Sequence, residues 1–232
     1  MTDVNILVST GIGGDTYLTS GAATNNHGVY SPISTGAVVT NRKILLRFDL
    51  SDILAGSTCI SAILKLKSTV NSSSGEFNIY KISDANSDWV EGTKNGTTAG
   101  AGETCWNAKA ADGAGGVTTA WAGSAGLMTA GTDYVNTALS TVTTDLTNGT
   151  VYEFPFNEDG LAVLQSWFGA ETNNGLLFIR NILSVASFYT GEDATESYRP
   201  VLSVTYTEAP TGALLKVNMN AQMQNLVGGM NG

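Results

Sequence analysis

The chain has 232 residues, of which 42% are hydrophobic and only 13% are charged, and its formal net charge is -9. The apolar content is too high for an intrinsically disordered chain and is sufficient for one large β domain with its own core. The acidic balance argues against nucleic acid as a partner, because no stripe of Lys and Arg is present to neutralise phosphates. No apolar run approaches the roughly 20 residues of a membrane-spanning helix, so we expect no membrane partner.

Short segments with the period-two alternation of β-strands dominate the first part of the chain. In residues 42–50, Ile44, Leu46 and Phe48 alternate with other side chains, which predicts a strand with one face in a core. Further predicted strands are residues 4–8, 15–18 (with a turn as the alternative), 59–67 and 77–82. The Asn-Asn-His-Gly run at 25–28 predicts a tight loop, because Asn and Gly tolerate positive φ.

The middle of the chain, residues 92–150, is rich in Gly, Ala and Thr and interrupts the series of strands. An insertion of this length in a compact domain usually carries function or folds into an ordered excursion. We expect one short strand within it, at 134–138, where the alternation is weak.

The last part of the chain returns to strands after one helix. Strands are predicted at 151–156, 176–180, 184–189 and 201–207. A helix is predicted at 157–168, with Asn157 as its N-cap and Leu161 and Leu164 on its core face. With no alternation of strands and helices, the pattern predicts an all-β fold: an antiparallel β-sandwich of the jelly-roll type, with one short helix and a C-terminal tail.

An ordered series of motifs runs through these elements. It consists of RKILLRFDLSDI at 42–53, ISAILKLK at 60–67, FNIYKI at 77–82, SDWVEGT at 87–93 and YRPVL at 198–202. The series resembles the DNRLRE domain, a β-sandwich family also classed among carbohydrate-binding modules. The resemblance extends over residues 4–207 and divides the chain into a DNRLRE-like jelly-roll sandwich at 1–208 and a tail at 209–232.

The residues that give the family its name match Asp15, Asn26, Arg42, Leu46, Arg47 and Glu192. Two positions depart from the family pattern. Cys105 stands where Thr is usual, and Thr190-Gly191 stands where a Ser-Arg pair is usual. These departures affect what the closing loop can do chemically, while the expected fold is unaffected.

Enzymatic sites find little support in the composition. His27 is the only histidine and lies in the predicted loop. No histidine elsewhere in the chain is therefore available for a Ser-His-Asp or Cys-His arrangement. Cys59 and Cys105 with one histidine do not make a zinc site. We therefore expect no enzyme activity, no cofactor and no metal centre; a structural Ca²⁺ held by loop carboxylates and carbonyls remains an open alternative.

Charged residues at strand ends form one candidate constellation. We expect Arg42, Arg47, Arg199 and Glu192 to form a structural ion-pair network that closes the sandwich, with ligand binding as the alternative.

Three tryptophans are the candidates for stacking on a sugar, since an indole face offers apolar area to a pyranose ring. Trp89 and Trp106 lie in the family motifs, where a place in the core is favoured. Trp121 lies in an Ala/Gly loop outside the motifs and is the better ligand-binding candidate, although burial is favoured there as well.

The tail is the stretch that says most about function. Leu215, Met219, Met223, Leu226 and Met230 fall at helical spacing, while Leu215, Val217 and Met219 also alternate as in an added strand. The last predicted strand ends near Thr207, so the core is expected to close before the tail begins. An apolar segment beyond a closed core predicts docking to another protein subunit, with packing on its own sandwich as the alternative.

Two functions follow from these expectations. The N-terminus lacks the basic region and apolar run of a secretory signal, which favours synthesis and retention in a host cytoplasm. The leading hypothesis is a non-catalytic structural protein of a phage-like virion, a capsid decoration or tail-associated module whose partners are other virion subunits or its own copies. The alternative, which follows from the resemblance, is an extracellular carbohydrate-binding module excised from a secreted polysaccharide-active protein, with polysaccharide as its partner.

Overall fold

A computed structural model describes residues 1–8, 14–37, 40–169 and 173–210 of the chain. The strands are β1 (Thr2–Leu7), β2 (Gly14–Thr19), β3 (Asn25–Asn26), β4 (Ile33–Ala37), β5 (Asn41–Arg47), β6 (Thr58–Lys67), β7 (Ser72–Lys81), β8 (Thr97–Thr98), β9 (Ala110–Ala111), β10 (Val117–Thr119), β11 (Ser140–Leu146), β12 (Val151–Pro155), β13 (Leu176–Arg180), β14 (Ala186–Phe188) and β15 (Val201–Thr207). The α-helix α1 is Glu158–Ser166, and short 3₁₀ turns lie at Ser20–Ala22, Asp84–Asn86 and Glu196–Tyr198.

Two antiparallel sheets face each other. The small sheet has the strand order β1-β15-β6-β12. The large sheet has the order β11-β7-β13-β5-β4-β14, with β2 paired to the other side of β5. The prediction of an all-β antiparallel sandwich of the jelly-roll type with one short helix is confirmed for the described residues; the C-terminal tail from residue 211 lies outside them.

The core between the sheets follows directly from the alternation in the sequence. Ile44, Leu46, Phe48, Leu64 and Val204 are each at most 2% exposed and belong to one hydrophobic cluster, as predicted. Four phenylalanines from both sheets meet at its centre with ring centroids 4.9–6.4 Å apart: Phe77, Phe154, Phe178 and Phe188. At the edge of this core, the Asn157 side chain accepts a hydrogen bond from the Gly160 N–H, which confirms the predicted helix cap.

The large sheet has a second apolar face, which its sequence also encodes. Leu45 lies between Ile44 and Leu46 in β5 and points to the opposite side, together with Leu18 of β2 and Leu177 of β13. A second hydrophobic cluster covers this face with side chains of the excursion between β7 and β11: Ile82, Trp89, Trp106, Trp121 and Leu127. The molecule therefore has three layers, with the large sheet in the middle.

Several local predictions differ from the structure. Residues 134–138 contain only an isolated bridge at Tyr134, and the strand follows at Ser140–Leu146. Its sequence STVTTDL is polar because β11 pairs only with β7 at the rim of the large sheet and exposes alternate side chains, Thr141, Thr143 and Asp145, to solvent. The 25–28 loop contains β3, which pairs with β8 of the excursion. No helix among the described residues is long and apolar enough to cross a membrane.

Candidate functional site

Three carboxylates from distant parts of the chain converge at the edge of the sandwich. Asp15 lies in β2, Glu91 in the loop after β7 and Glu192 in the loop after β14. One carboxylate oxygen of each lies within 4.8 Å of those of the other two. Asp15 is fully buried, whereas Glu91 and Glu192 are half-buried. We call these residues the acidic triad.

Backbone amides hold two of the triad carboxylates. The Asp15 N–H donates to Glu91 Oε1 at 2.6 Å, and the Gly191 N–H donates to Asp15 Oδ2, also at 2.6 Å. The remaining oxygen of Asp15, Oδ1, and Oε2 of Glu192 are buried without a hydrogen-bond partner among the described residues. The triad therefore has acceptor oxygens that none of the described residues satisfies.

Asn26 fixes the backbone that carries Glu91. Its Nδ2 donates to the carbonyls of Glu91 at 2.5 Å and of Thr104 at 2.9 Å. Its Oδ1 accepts from the N–H groups of Gly28 at 3.1 Å and Lys94 at 3.0 Å. One buried amide thus ties three segments together and sets the position from which Glu91 reaches the triad.

Two glycines make room for the carboxylates. A Cβ on Gly14 would lie 3.0 Å from Cδ of Glu91, and a Cβ on Gly191 would lie 3.2 Å from Oδ2 of Asp15. Both distances are shorter than ordinary van der Waals contact. Gly191 is also the amide donor to Asp15, so the Thr190-Gly191 departure from the family pattern forms part of this site.

Burial changes the protonation of the triad. It raises the pKa of Asp15 well above 3.8, with the charges of Glu192 and Glu91 adding to the effect and the Gly191 amide opposing it. It raises the pKa of Glu91 to about 7, where the Asp15 N–H opposes the shift and Glu192 reinforces it. Burial also raises the pKa of Glu192. Such a cluster can share protons or bind a cation.

The predicted ion-pair network of Arg42, Arg47, Arg199 and Glu192 is wrong for the described residues. The ion pairs there are Lys65–Glu153, Lys81–Asp84 and Lys109–Asp88. Arg47 donates instead to the carbonyls of Ser87 at 2.6 Å and Trp89 at 3.4 Å, and Arg199 Nε donates to the carbonyl of Asp193 at 2.8 Å. Glu192 turns toward the other two carboxylates, which the charge pattern alone did not indicate.

The tryptophans offer no platform for a sugar. Trp89, Trp106 and Trp121 are 2%, 8% and 4% exposed, and all three belong to the cluster on the large sheet. Trp121 Nε1 donates to the carbonyls of Cys105 and Trp106 at 3.2 and 3.0 Å. The burial that the sequence favoured for all three tryptophans is confirmed, and the alternative role of Trp121 as a ligand-binding residue finds no exposed ring, because Trp121 packs in the cluster that contains Leu45.

His27 and the two cysteines are also interior residues. His27 stacks on Tyr17 with 4.2 Å between ring centroids, and burial lowers the pKa of His27 to about 4. Cys59 and Cys105 are buried free thiols, and burial raises the pKa of each. A neutral imidazole and protonated thiols in these positions have a packing role.

No protein-family model matches the chain, and no curated protein is significantly similar to it. The DNRLRE resemblance therefore stays a prediction. The structure brings together Asp15, Asn26, Arg47 and Glu192, four of the residues that carry it, around the loop at 87–94. The predicted docking residues Leu215, Met219, Met223, Leu226 and Met230 lie outside the described residues.

Proposed function

We propose that the chain is a non-catalytic structural protein of a phage-like virion, a capsid decoration or tail-associated module, which docks to other subunits through its tail. The proposal rests mainly on the second face of the large sheet, which the protein's own excursion between β7 and β11 covers. The face that an open sandwich would present to a ligand is packed against the protein's own excursion through Trp89, Trp106 and Trp121. A scaffold with both sheet faces used internally suits a structural role.

The described residues make a complete core without the tail. β15 lies between β1 and β6 and pairs with both along its length, so the small sheet is finished when β15 ends at Thr207. Leu202 and Val204 of β15 are at most 1% exposed, with partners supplied by the described residues. β15 thus has its core partners among the described residues, which supports a docking role for the tail.

The tail sequence supports a docking role. Between residues 213 and 232 it has eight Leu, Val and Met residues and a single charged side chain, Lys216. Removing the apolar side chains of such a segment from water is energetically favourable. A partner subunit can bury them either by pairing with the segment as an added strand or by holding it as a helix in a groove.

A cleft beside the excursion favours the alternative, a carbohydrate-binding module. It has a volume of about 410 Å³, and its lining includes Asn41, Tyr134, Asn181 and Leu183. An aromatic ring beside side-chain amides is an arrangement that recognises sugars.

Sedimentation velocity and affinity electrophoresis separate the two functions. We expect the full chain to sediment as an oligomer and Met223→Asp to reduce it to a monomer, because a charge in the docking segment opposes burial. Leu54→Asp is the matched control, since Leu54 is an apolar residue of the sandwich that is 54% exposed; it is expected to leave the oligomer unchanged. A monomeric wild-type chain contradicts self-assembly through the tail, and a monomer that is retarded by a polysaccharide contradicts the proposal and supports the alternative.

A further inference from the structure

We propose that the acidic triad of Asp15, Glu91 and Glu192 binds one hard divalent cation of the Ca²⁺ type, which joins β2 to the loops that follow β7 and β14. The triad places one oxygen from each carboxylate within 4.8 Å of the others. Ca²⁺ holds oxygen ligands at 2.3–2.6 Å, so two ligands on opposite sides of one ion are at most about 5 Å apart. The spacing of the three oxygens therefore suits a single ion between them.

Oxygen atoms without partners provide a second, separate indication. Asp15 is 0% exposed, and its Oδ1 has no hydrogen-bond partner among the described residues. Thr190 is also 0% exposed, and its hydroxyl has no partner with hydrogen-bond geometry in the described parts of the chain, yet it lies close enough to Glu192 to lower the pKa of that carboxyl. Buried polar atoms normally have partners, and carboxylate and hydroxyl oxygens are ligands that a hard cation accepts.

The charge balance at the triad also favours a bound cation. Among the described residues, no Lys, Arg or His forms an ion pair within 4.0 Å of any of the three carboxylates. Arg199 lowers the pKa of Glu192 from a greater distance, while its own Nε is bonded to the carbonyl of Asp193. Residues 9–13, which precede β2, contain no basic residue. Three converging carboxylates are costly to bury as anions, and a divalent cation offsets that cost.

Calorimetric titration of the full chain with Ca²⁺ tests the proposal. The protein is first treated with a chelator, which is then removed, and the titration is run at pH 7.5 with sodium chloride of equal ionic strength as the blank. We expect one Ca²⁺ per chain and a rise in Tm on adding Ca²⁺, because an ion that binds only the folded state stabilises it. An absence of both heat and Tm shift overturns the proposal and assigns the triad to proton sharing.

Two isosteric variants locate the ion. Loss of an outer partner of a metal ligand weakens binding about 10- to 100-fold. Glu192→Gln replaces a charged ligand by a neutral amide oxygen and is therefore expected to weaken Ca²⁺ binding at least about tenfold. Glu196→Gln is the matched control, because Glu196 is an exposed carboxylate of the same loop; it is expected to bind Ca²⁺ as the wild type does. Equal affinities for the two variants overturn the assignment, since the ion then binds elsewhere.

Discussion

The guanidinium of Arg47 lies over the indole of Trp89, with 4.4 Å between the guanidinium carbon and the ring centroid. The sequence assigned these two residues to different sites, Arg47 to an ion-pair network and Trp89 to the core or a sugar platform. In the structure they form one contact that anchors the loop leading to Glu91. Trp89 Nε1 completes it by donating to the carbonyl of Asn174 at 2.8 Å.

Replacing Arg47 is expected to destabilise the fold. Arg47→Met removes a cation–π contact and charged hydrogen bonds to backbone carbonyls, and we expect a loss of about 2–3 kcal/mol in the free energy of unfolding. Lys65→Met is the control, because the Lys65–Glu153 pair is solvent-exposed and worth less than about 1 kcal/mol. Urea denaturation measures both. Equal losses for the two variants argue against an anchoring role for Arg47.

The core prediction rests on Leu46. Leu46→Ala is expected to lower the free energy of unfolding by about 2–5 kcal/mol, because a fully buried side chain leaves a cavity. Ile60→Ala in the small sheet serves as the comparison, since Ile60 is 42% exposed and its truncation leaves no cavity. An unchanged denaturation midpoint for Leu46→Ala means that the core assignment is wrong.

Two glycines with the same backbone conformation test how tightly the excursion is packed. Gly126 and Gly131 have φ of 70° and 81°, but a Cβ on Gly126 overlaps the Trp106 ring, whereas a Cβ on Gly131 meets nothing within 4 Å. Gly131→Ala is expected to cost about 1–2 kcal/mol from its positive φ alone. Gly126→Ala is expected to cost about 1–3 kcal/mol more through overpacking, measured by urea denaturation. Similar losses in the free energy of unfolding for the two variants imply that the excursion shifts around Trp106 to accommodate the added methyl group.

The acid limb of the stability profile depends on His27. Its pKa is about 4 in the folded protein and about 6.5 when unfolded, so below pH 6.5 the unfolded chain takes up a proton that the folded one does not. The free energy of unfolding therefore decreases by up to about 3 kcal/mol as the pH falls from 6.5 through 4. His27→Phe keeps a ring against Tyr17 and is expected to lose less stability over this range than the wild type.

Tyr30→Phe controls for the His27 experiment. Tyr30 packs edge-on against His27, with 5.4 Å between centroids, and its replacement leaves the imidazole in place. The three proteins contain the same carboxylates, so the difference between their acid limbs isolates the imidazole. Identical acid limbs for wild type and His27→Phe contradict the account of His27.

Strands with strong alternation could be predicted from the sequence. Residues 42–47 and 59–67 lie in β5 and β6 and place Ile44, Leu46 and Leu64 in the core as expected, because burial on one side imposes the period of two. Ile60, expected on the same face, is 42% exposed, because the register with β15 shifts beside it. A single residue does not establish a periodic pattern, and Leu45 is the one sign in the sequence of β5 of the second apolar face. What covers it, Trp106 and Trp121, lies about sixty to eighty residues further along the chain, where composition gives no periodic signal.

The acidic triad could not be predicted. Asp15 and Glu192 were noticed through the family resemblance, but 176 positions separate Asp15 from the Gly191 amide that holds it. Glu91 lies in the SDWVEGT motif at 87–93, but the motif assigns it no role, and a carboxylate in a polar loop is usually solvated. Glu91 meets the other two carboxylates because strand pairing places Asp15 and because the Asn26 side chain holds the backbone of Glu91, and both are properties of the assembled fold.

Truncation after Pro210 tests the central claim, that the sandwich is complete in itself and the tail binds another chain. Thermal unfolding and sedimentation velocity are compared for the full chain and for the chain without residues 211–232. We expect the same Tm, because β15 already closes the small sheet, together with loss of the oligomer. A truncated chain that unfolds, or that assembles as the full chain does, contradicts the docking role of the tail.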